Sequence, residues 1–173
     1  IEEWRRRLGY VSPELQTEYL DDLAVIDFVV SGERLSYGLL TPADSGERRR
    51  ARAALDLVGF GAAREGLVRQ LSYGQRRLAL FARALVNRPE ALLLDEPLEG
   101  LAPIIVQELL QAIRRITREE GMSAIIVEQH PQAILAISHQ AVVLDQGRVI
   151  HSGSAAALMQ QAHLLDQLLA REA

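Results

Sequence analysis

The chain has 173 residues, 49% of them apolar, and a formal net charge of −4. That length suffices for one domain with a true core, and the apolar fraction is that of a globular chain, not a disordered one. The acidic balance argues against a broad nucleic-acid surface. The absence of cysteine excludes disulfide scaffolds and thiolate metal sites, and no apolar run reaches bilayer length, so the expected state is soluble or peripheral to a membrane through a partner.

In chain order, residues 1–7 are charged and read as a helix tail or loop, with Arg5, Arg6 and Arg7 a solvated face. Leu8, Gly9, Tyr10 and Val11 read as a short strand. Residues 14–69 carry a helical pattern with breaks. An apolar helix is expected over residues 23–30, and a loop over residues 31–46, which are rich in Gly, Ser and Pro. Residues 47–58 are amphipathic: Ala51, Ala54, Leu55 and Val58 share one face, Arg48, Arg49 and Arg50 lie on the solvent side, and Gly59 and Gly61 end the helix.

Residues 71–75, Leu-Ser-Tyr-Gly-Gln, read as a loop. Leu78, Phe81, Ala82, Leu85 and Val86 then recur at the spacing of an amphipathic helix, which Pro89 stops. The apolar run at residues 91–94 predicts a strand buried on both faces of a parallel sheet, with Asp95 and Glu96 at its carboxyl end, where open α/β sheets bind ligands. Pro103 suits the first position of a helix with a core stripe of Ile104, Ile105, Leu109, Ile113 and Ile116, ended by Gly121. Residues 123–127 predict a second buried strand, followed by Glu128, Gln129 and His130. Residues 141–144 and 148–151 predict two strands about a Gln146-Gly147 turn, closed by Gly153, and residues 158–169 a C-terminal helix with Leu158, Leu165, Leu168 and Leu169 inward. His139, His151 and His163 have no ligand spacing and read as structural.

The chemistry concentrates between residues 71 and 100. A helix N-terminus offers unpaired backbone N–H groups and about half a positive charge, which attract phosphate. Ser72 adds a hydroxyl, and Gly74 allows the backbone close to an anion. Two adjacent carboxylates past a strand divide labour: one holds magnesium, through water, and the other orients an attacking water. Taken singly, the first motif is an ordinary turn and the second a solvated acidic pair; in this order and at this spacing coincidence is a poor explanation.

The segment LSYGQ resembles the signature loop of ABC ATPases (LSGGQ), with Tyr73 in a glycine slot, and ALLLDEP resembles the family's Walker B strand. The resemblance covers nearly the whole chain. It implies an α/β fold, a partial P-loop NTPase core with a mostly parallel sheet and helices on both faces, plus a helical subdomain. The implied division is residues 1–12 for a remnant of the nucleotide-binding core, 13–70 for the helical subdomain, 71–153 for the signature loop, Walker B and the rest of the core, and 154–173 for a C-terminal helix. It further implies ATP and magnesium as cofactors, Asp95 as the magnesium residue and Glu96 as catalytic base. Gln129 falls in the slot of a γ-phosphate contact; His130, one place later, reads as a helix-start residue or as that contact. Leu71, Ser72, Tyr73, Gly74 and Gln75 would bind the nucleotide of a partner domain.

Where the family carries the glutamine of its Q-loop the chain has Pro13, and Gln16 reaches the site only if the loop differs. Ala102 replaces the usual aspartate of the D-loop. The front part resembles molybdenum-type tandem ATPases, and the E-G-L-A-P stretch resembles ATPases of branched-chain amino-acid importers. All 19 basic residues are Arg. A P-loop needs a Lys on the β/γ-phosphates, so none lies within these residues, through truncation or through loss. The expected partners are a second ABC ATPase domain and membrane permease subunits, not nucleic acid, with a cytoplasmic location peripheral to the inner membrane. One expectation is an ATP-hydrolysing importer subunit whose chain is inactive alone; the other is a non-catalytic subunit donating its signature loop to a competent partner. ABC proteins of DNA repair or translation rank last, because no coiled coil, zinc site or charged linker is present.

Overall fold

The structure, a computed structural model, describes residues 7–16, 22–36, 38–129, 131–161 and 163–164. It divides into two units, Ile1–Glu128 and Gln129–Ala173. In the first, β1 (Leu8–Val11), β2 (Ala91–Asp95) and β3 (Ser123–Val127) form a parallel sheet in that order. Leu8 stands against Ala91 and Val11 against Leu94, while Asp95 pairs with Val127. The α/β architecture with a parallel sheet is the one expected.

Three helices fill the long crossover between β1 and β2. Helix α1 (Val25–Glu33) is apolar on nearly every side and correspondingly buried. It starts later than expected and runs three residues into the segment read as loop, with the buried Ser31 hydroxyl satisfied by donating to the Phe28 carbonyl at 2.6 Å. Helix α2 (Ser45–Leu57) opens on a capping box: Glu47 N–H donates to Asp44 Oδ1 and Asp44 N–H to Glu47 Oε2, each at 2.8 Å. Gly59, at φ +72°, closes it in the left-handed region, whereas Gly61 does not take that conformation. Of the arginines given a solvent role, Arg49 and Arg50 are exposed as expected, Arg50 also pairing with Glu33 of α1 at 2.6 Å, while Arg48 is half-buried and pairs with Asp27 of α1 at 2.8 Å.

Helix α3 (Tyr73–Leu85) packs on α1, on α2 and on β1. Its expected stripe of Leu78, Phe81, Ala82, Leu85 and Val86 is buried throughout. The α1–α3 crossing depends on Gly32, where a Cβ would stand 2.3 Å from the Arg83 carbonyl oxygen. Asn87 and Arg83 then clamp α1, donating to the Gly32 carbonyl at 2.9 Å and to Ser31 Oγ at 3.1 Å.

Two burial expectations are corrected. Strand β2 seals Leu92 and Leu94, but Ala91, Leu93 and Asp95 on its other face are half-buried. Strand β3 is exposed at Ile125 (66%) and Val127 (50%). An apolar β-branched run specifies a strand, but it does not specify that its cover lies among the described residues. Between them, α4 (Pro103–Glu119) has Pro103 at its first turn and buries Leu109, Ala112, Ile113 and Ile116; Ile104, expected in the stripe, is 60% exposed.

In the second unit, β4 (Gln140–Asp145) and β5 (Arg148–Ser154) form an antiparallel hairpin. Gln146 and Gly147 take φ +46° and +76°, the paired left-handed values of a tight hairpin turn. Gly153 lies within β5, not after it. Leu135 of the short helix α5 (Gln132–Leu135) and Ala155 and Leu158 of α6 (Ala155–Gln160) form the buried cluster of this unit. The C-terminal helix expectation at Leu165, Leu168 and Leu169 falls outside the described residues, as does that at Arg5 and Arg6.

Two measurements check this packing. Gly32→Ala is expected to destabilise the chain by about 1–3 kcal/mol in urea unfolding, since the added carbon meets backbone that cannot step aside. Glu47 is held at about 2, well below its ordinary 4.5, chiefly by hydrogen bonding from the Arg34 guanidinium and then by the Asp44 N–H. A carboxyl more acidic in the folded chain contributes stability above its ordinary pKa and loses it as pH falls through the folded value. The Tm deficit of Glu47→Gln, full near neutral pH, should therefore shrink from about pH 4.5 down to about pH 2.

Candidate nucleotide site

Ser72 is the N-cap of α3. Its Oγ accepts from the Gln75 N–H at 3.3 Å, and its own N–H donates to Gln75 Oε1 at 2.9 Å. The helix therefore begins at Tyr73, three residues earlier than the 71–75 loop implied. The S-x-x-Q spacing at residues 72–75 is a capping-box signal and was legible in the sequence. The cap uses the hydroxyl as an acceptor and leaves its hydrogen to donate, at a helix end that carries partial positive charge.

The five residues of the turn contribute differently. Leu71 is buried (7% exposed) and offers a ligand only its backbone; Gln75 spends its amide oxygen on the cap; Ser72 and Tyr73 are exposed. Gly74 lies close to α4, where a Cβ would meet Ile105 Cγ1 at 2.9 Å.

Asp95 is the last residue of β2 and Glu96 follows it, both half-buried. Glu96 N–H donates to the Val127 carbonyl at 2.9 Å, which fixes the chain as it leaves the sheet. Its φ of +44° is a left-handed conformation for a non-glycine residue, a strain of about 1–3 kcal/mol of the kind that collects at functional sites. Past it, Leu98 N–H donates to Glu128 Oε2 at 3.4 Å. Gly100, at φ +67°, lies under the Tyr73 ring, where a Cβ would meet Tyr73 Cε1 at 3.3 Å. The serine turn and the loop leaving β2 are thus neighbours within one chain.

Among the described residues no three His, Asp or Glu side chains converge well enough to hold a metal ion. Asp95 supplies a single hard oxygen. Magnesium usually takes one or two carboxylates and completes its shell with water and substrate phosphates, so this donor set fits a magnesium ion carried with a nucleotide.

Gln129 is exposed and opens the second unit. Gln16 ends a 3₁₀ turn, Glu14–Gln16; the role expected of its side chain, like that of His130, lies outside what is described. Sequence reading missed Arg77, which is fully buried on α3 and donates from Nη2 to Tyr73 Oη at 3.1 Å. The available signal was its i, i+4 spacing from Tyr73.

A parallel sheet with two acids at its carboxyl edge and a serine-capped helix beside it makes this a mixed α/β protein whose candidate site lies at the end of its strands. The family model described as ABC transporter matches residues 1–99, and the chain belongs to that family. Among curated relatives it is 34% identical over 153 residues to an uncharacterized ABC transporter ATP-binding protein, YlmA, of Bacillus subtilis, covering 88% of this chain and 58% of the relative. It is 37% identical over 99 residues to the high-affinity branched-chain amino acid transport ATP-binding protein BraG of Pseudomonas aeruginosa, covering 57% of this chain and 42% of that protein. In fold it is similar to cbiO1 of Clostridium perfringens, part of the ABC transporter complex cbiONQ, with a TM-score of 0.80 and 24% identity over 98% of this chain and 66% of that one. The chain spans little more than half the length of the first of these relatives.

Two substitutions separate cap from charge. Ser72→Ala is expected to cost about 0.5–2 kcal/mol in unfolding, whereas Ser72→Asp, which keeps a capping oxygen, should hold wild-type stability. Ala102 stands at the N-cap of α4 with no side-chain hydrogen bond, so Ala102→Asp should stabilise the chain by about 0.5–2 kcal/mol.

Proposed function

We propose that this chain is the ATP-binding and ATP-hydrolysing side of an ABC importer, working with a second ATPase domain and with membrane permease subunits at the cytoplasmic face of the inner membrane. Among the described residues no helix is long and apolar enough to cross a membrane. The observation that carries the reading is the pairing, in one chain, of a serine-capped helix start with Asp95 and a strained Glu96 at the edge of a parallel sheet.

In this reading two domains lie head to tail. Ser72, the backbone of residues 73–75 and the positive end of α3 receive the γ-phosphate bound by the partner. Asp95 holds magnesium through water, and the ion supplies charge neutralisation on the phosphates. Glu96 orients the attacking water and takes its proton. Residues 13–70 form the helical subdomain that meets the permease. Since the 173 residues contain no Lys, the P-loop Lys comes from outside them, on the same or another chain.

That lack of Lys also favours a second reading, in which the chain only donates its signature loop to a competent partner. Mixing the chain with a P-loop-bearing ABC ATPase domain separates the two. The chain alone should not turn over ATP. In an assembly that does, Glu96→Gln should lower kcat by about 10²–10⁴ under the first reading and leave it unchanged under the second. Ser72→Asp should abolish turnover under both, and turnover by the isolated chain would overturn both.

A further inference from the structure

Arg77 is an anomaly in the buried face of α3. Its side chain is fully buried, yet Nε and Nη1 have no hydrogen-bond partner among the described residues. Only Nη2 is used, on Tyr73 Oη at 3.1 Å, with the guanidinium 5.8 Å from the centre of the Tyr73 ring. A buried donor left without a partner is costly, more so on a charged group. Such donors call for a partner.

The structure shows which group is at hand. Helix α3 packs against the 3₁₀ turn Glu14–Gln16 that follows β1. Glu14 is exposed, and its carboxyl lies below the ordinary range, chiefly because it accepts from its own backbone N–H, then from the buried Ser12 hydroxyl, with the Arg77 charge adding to the effect. The carboxylate is therefore ionised, within reach of the Arg77 field, and held by short local bonds that a rotamer change would release. On its other side Arg77 grips Tyr73, whose ring rests on Gly100. One guanidinium thus stands between the segment after β1 and the Ser72 turn, and through Tyr73 it meets the loop leaving β2.

We propose that Arg77 is a positioning residue with two tasks: its Nη2 anchors Tyr73, and with it the Ser72 turn, while its free Nε and Nη1 form the dock for the Glu14 carboxylate when the segment after β1 shifts during turnover. The bidentate geometry of guanidinium and carboxylate makes the dock specific to Arg; Lys offers charge without the fork. The two loops then move as one, and the phosphate-binding turn is set only when the other loop has arrived. This rests on the proposed reading of the Ser72 turn as a phosphate site.

The test uses double-mutant cycles with two readouts. In urea unfolding of the chain, Tyr73→Phe and Arg77→Met are expected to couple, the double mutant's unfolding constant differing from the product of the singles by about fivefold, while Glu14→Gln and Arg77→Met couple by less than about twofold, because at rest charge alone and no hydrogen bond links them. In ATP turnover by the assembly with a P-loop-bearing partner, Glu14→Gln and Arg77→Met should each lower kcat about tenfold with KM unchanged, and the double should fall no further. Arg77→Lys should resemble Arg77→Met. An additive loss of about a hundredfold in the double, or full activity in Arg77→Lys, overturns the dock; additive unfolding for Tyr73 and Arg77 overturns the anchor. An assembly of wild-type chains that never hydrolyses ATP sinks the functional reading and the dock with it, and the unfolding cycle still decides the anchor.

Discussion

Everything at the site depends on the seating of helix α3. Its buried face packs on α1, on α2 and on β1, and its first turn is closed by Ser72 and Gln75. The apolar stripe sets the rotation of the helix, the Gly32 contact sets how near α1 approaches, and the cap sets where the helix begins. With those three fixed, the serine hydroxyl and the first turn of the helix have one place to be. The same packing accounts for a large share of the hydrophobic burial in the first unit, so the stability of the fold and the geometry of the Ser72 turn are consequences of one interface.

The sheet contributes the opposite chemistry. Parallel pairing of β2 between β1 and β3 brings Asp95 and Glu96 to the carboxyl edge, and the Val127 carbonyl holds the chain as it leaves. Glu96 pays for its placement with a left-handed backbone, which glycine would adopt without strain. A residue kept there despite the strain has a use for its carboxylate. Positive potential at the helix start and negative charge at the strand end would be complementary to the two sides of a magnesium-bound triphosphate under the proposed function.

Much of this was legible in the sequence, for identifiable reasons. The α3 stripe could be read because Leu78, Phe81, Ala82 and Leu85 fall at helical spacing and all proved buried. The β2 strand end could be read because Pro89 and Pro97 bracket a short apolar run. What escaped was set by tertiary contact. Arg48 looked solvent-facing because charge alone does not reveal the Asp27 carboxylate on a neighbouring helix. Ile125 and Val127 looked buried because a hydrophobic strand does not say which residues cover it. The burial of Arg77 could not be read from a residue type that is almost never fully enclosed, and the strain at Glu96 is a property of the backbone that no side-chain pattern encodes.

The central claim is that the Ser72 turn and the Asp95–Glu96 edge are opposed walls of shared triphosphate sites, one wall from each of two domains. An experimental structure of the ATP-bound assembly carrying Glu96→Gln, which slows hydrolysis, tests it most directly. The account predicts Ser72 Oγ of one domain within about 3 Å of a γ-phosphate oxygen, with residue 96 of the other domain facing that same phosphate. A nucleotide held with the Ser72 turn open to solvent, or with both walls from one domain, would contradict it.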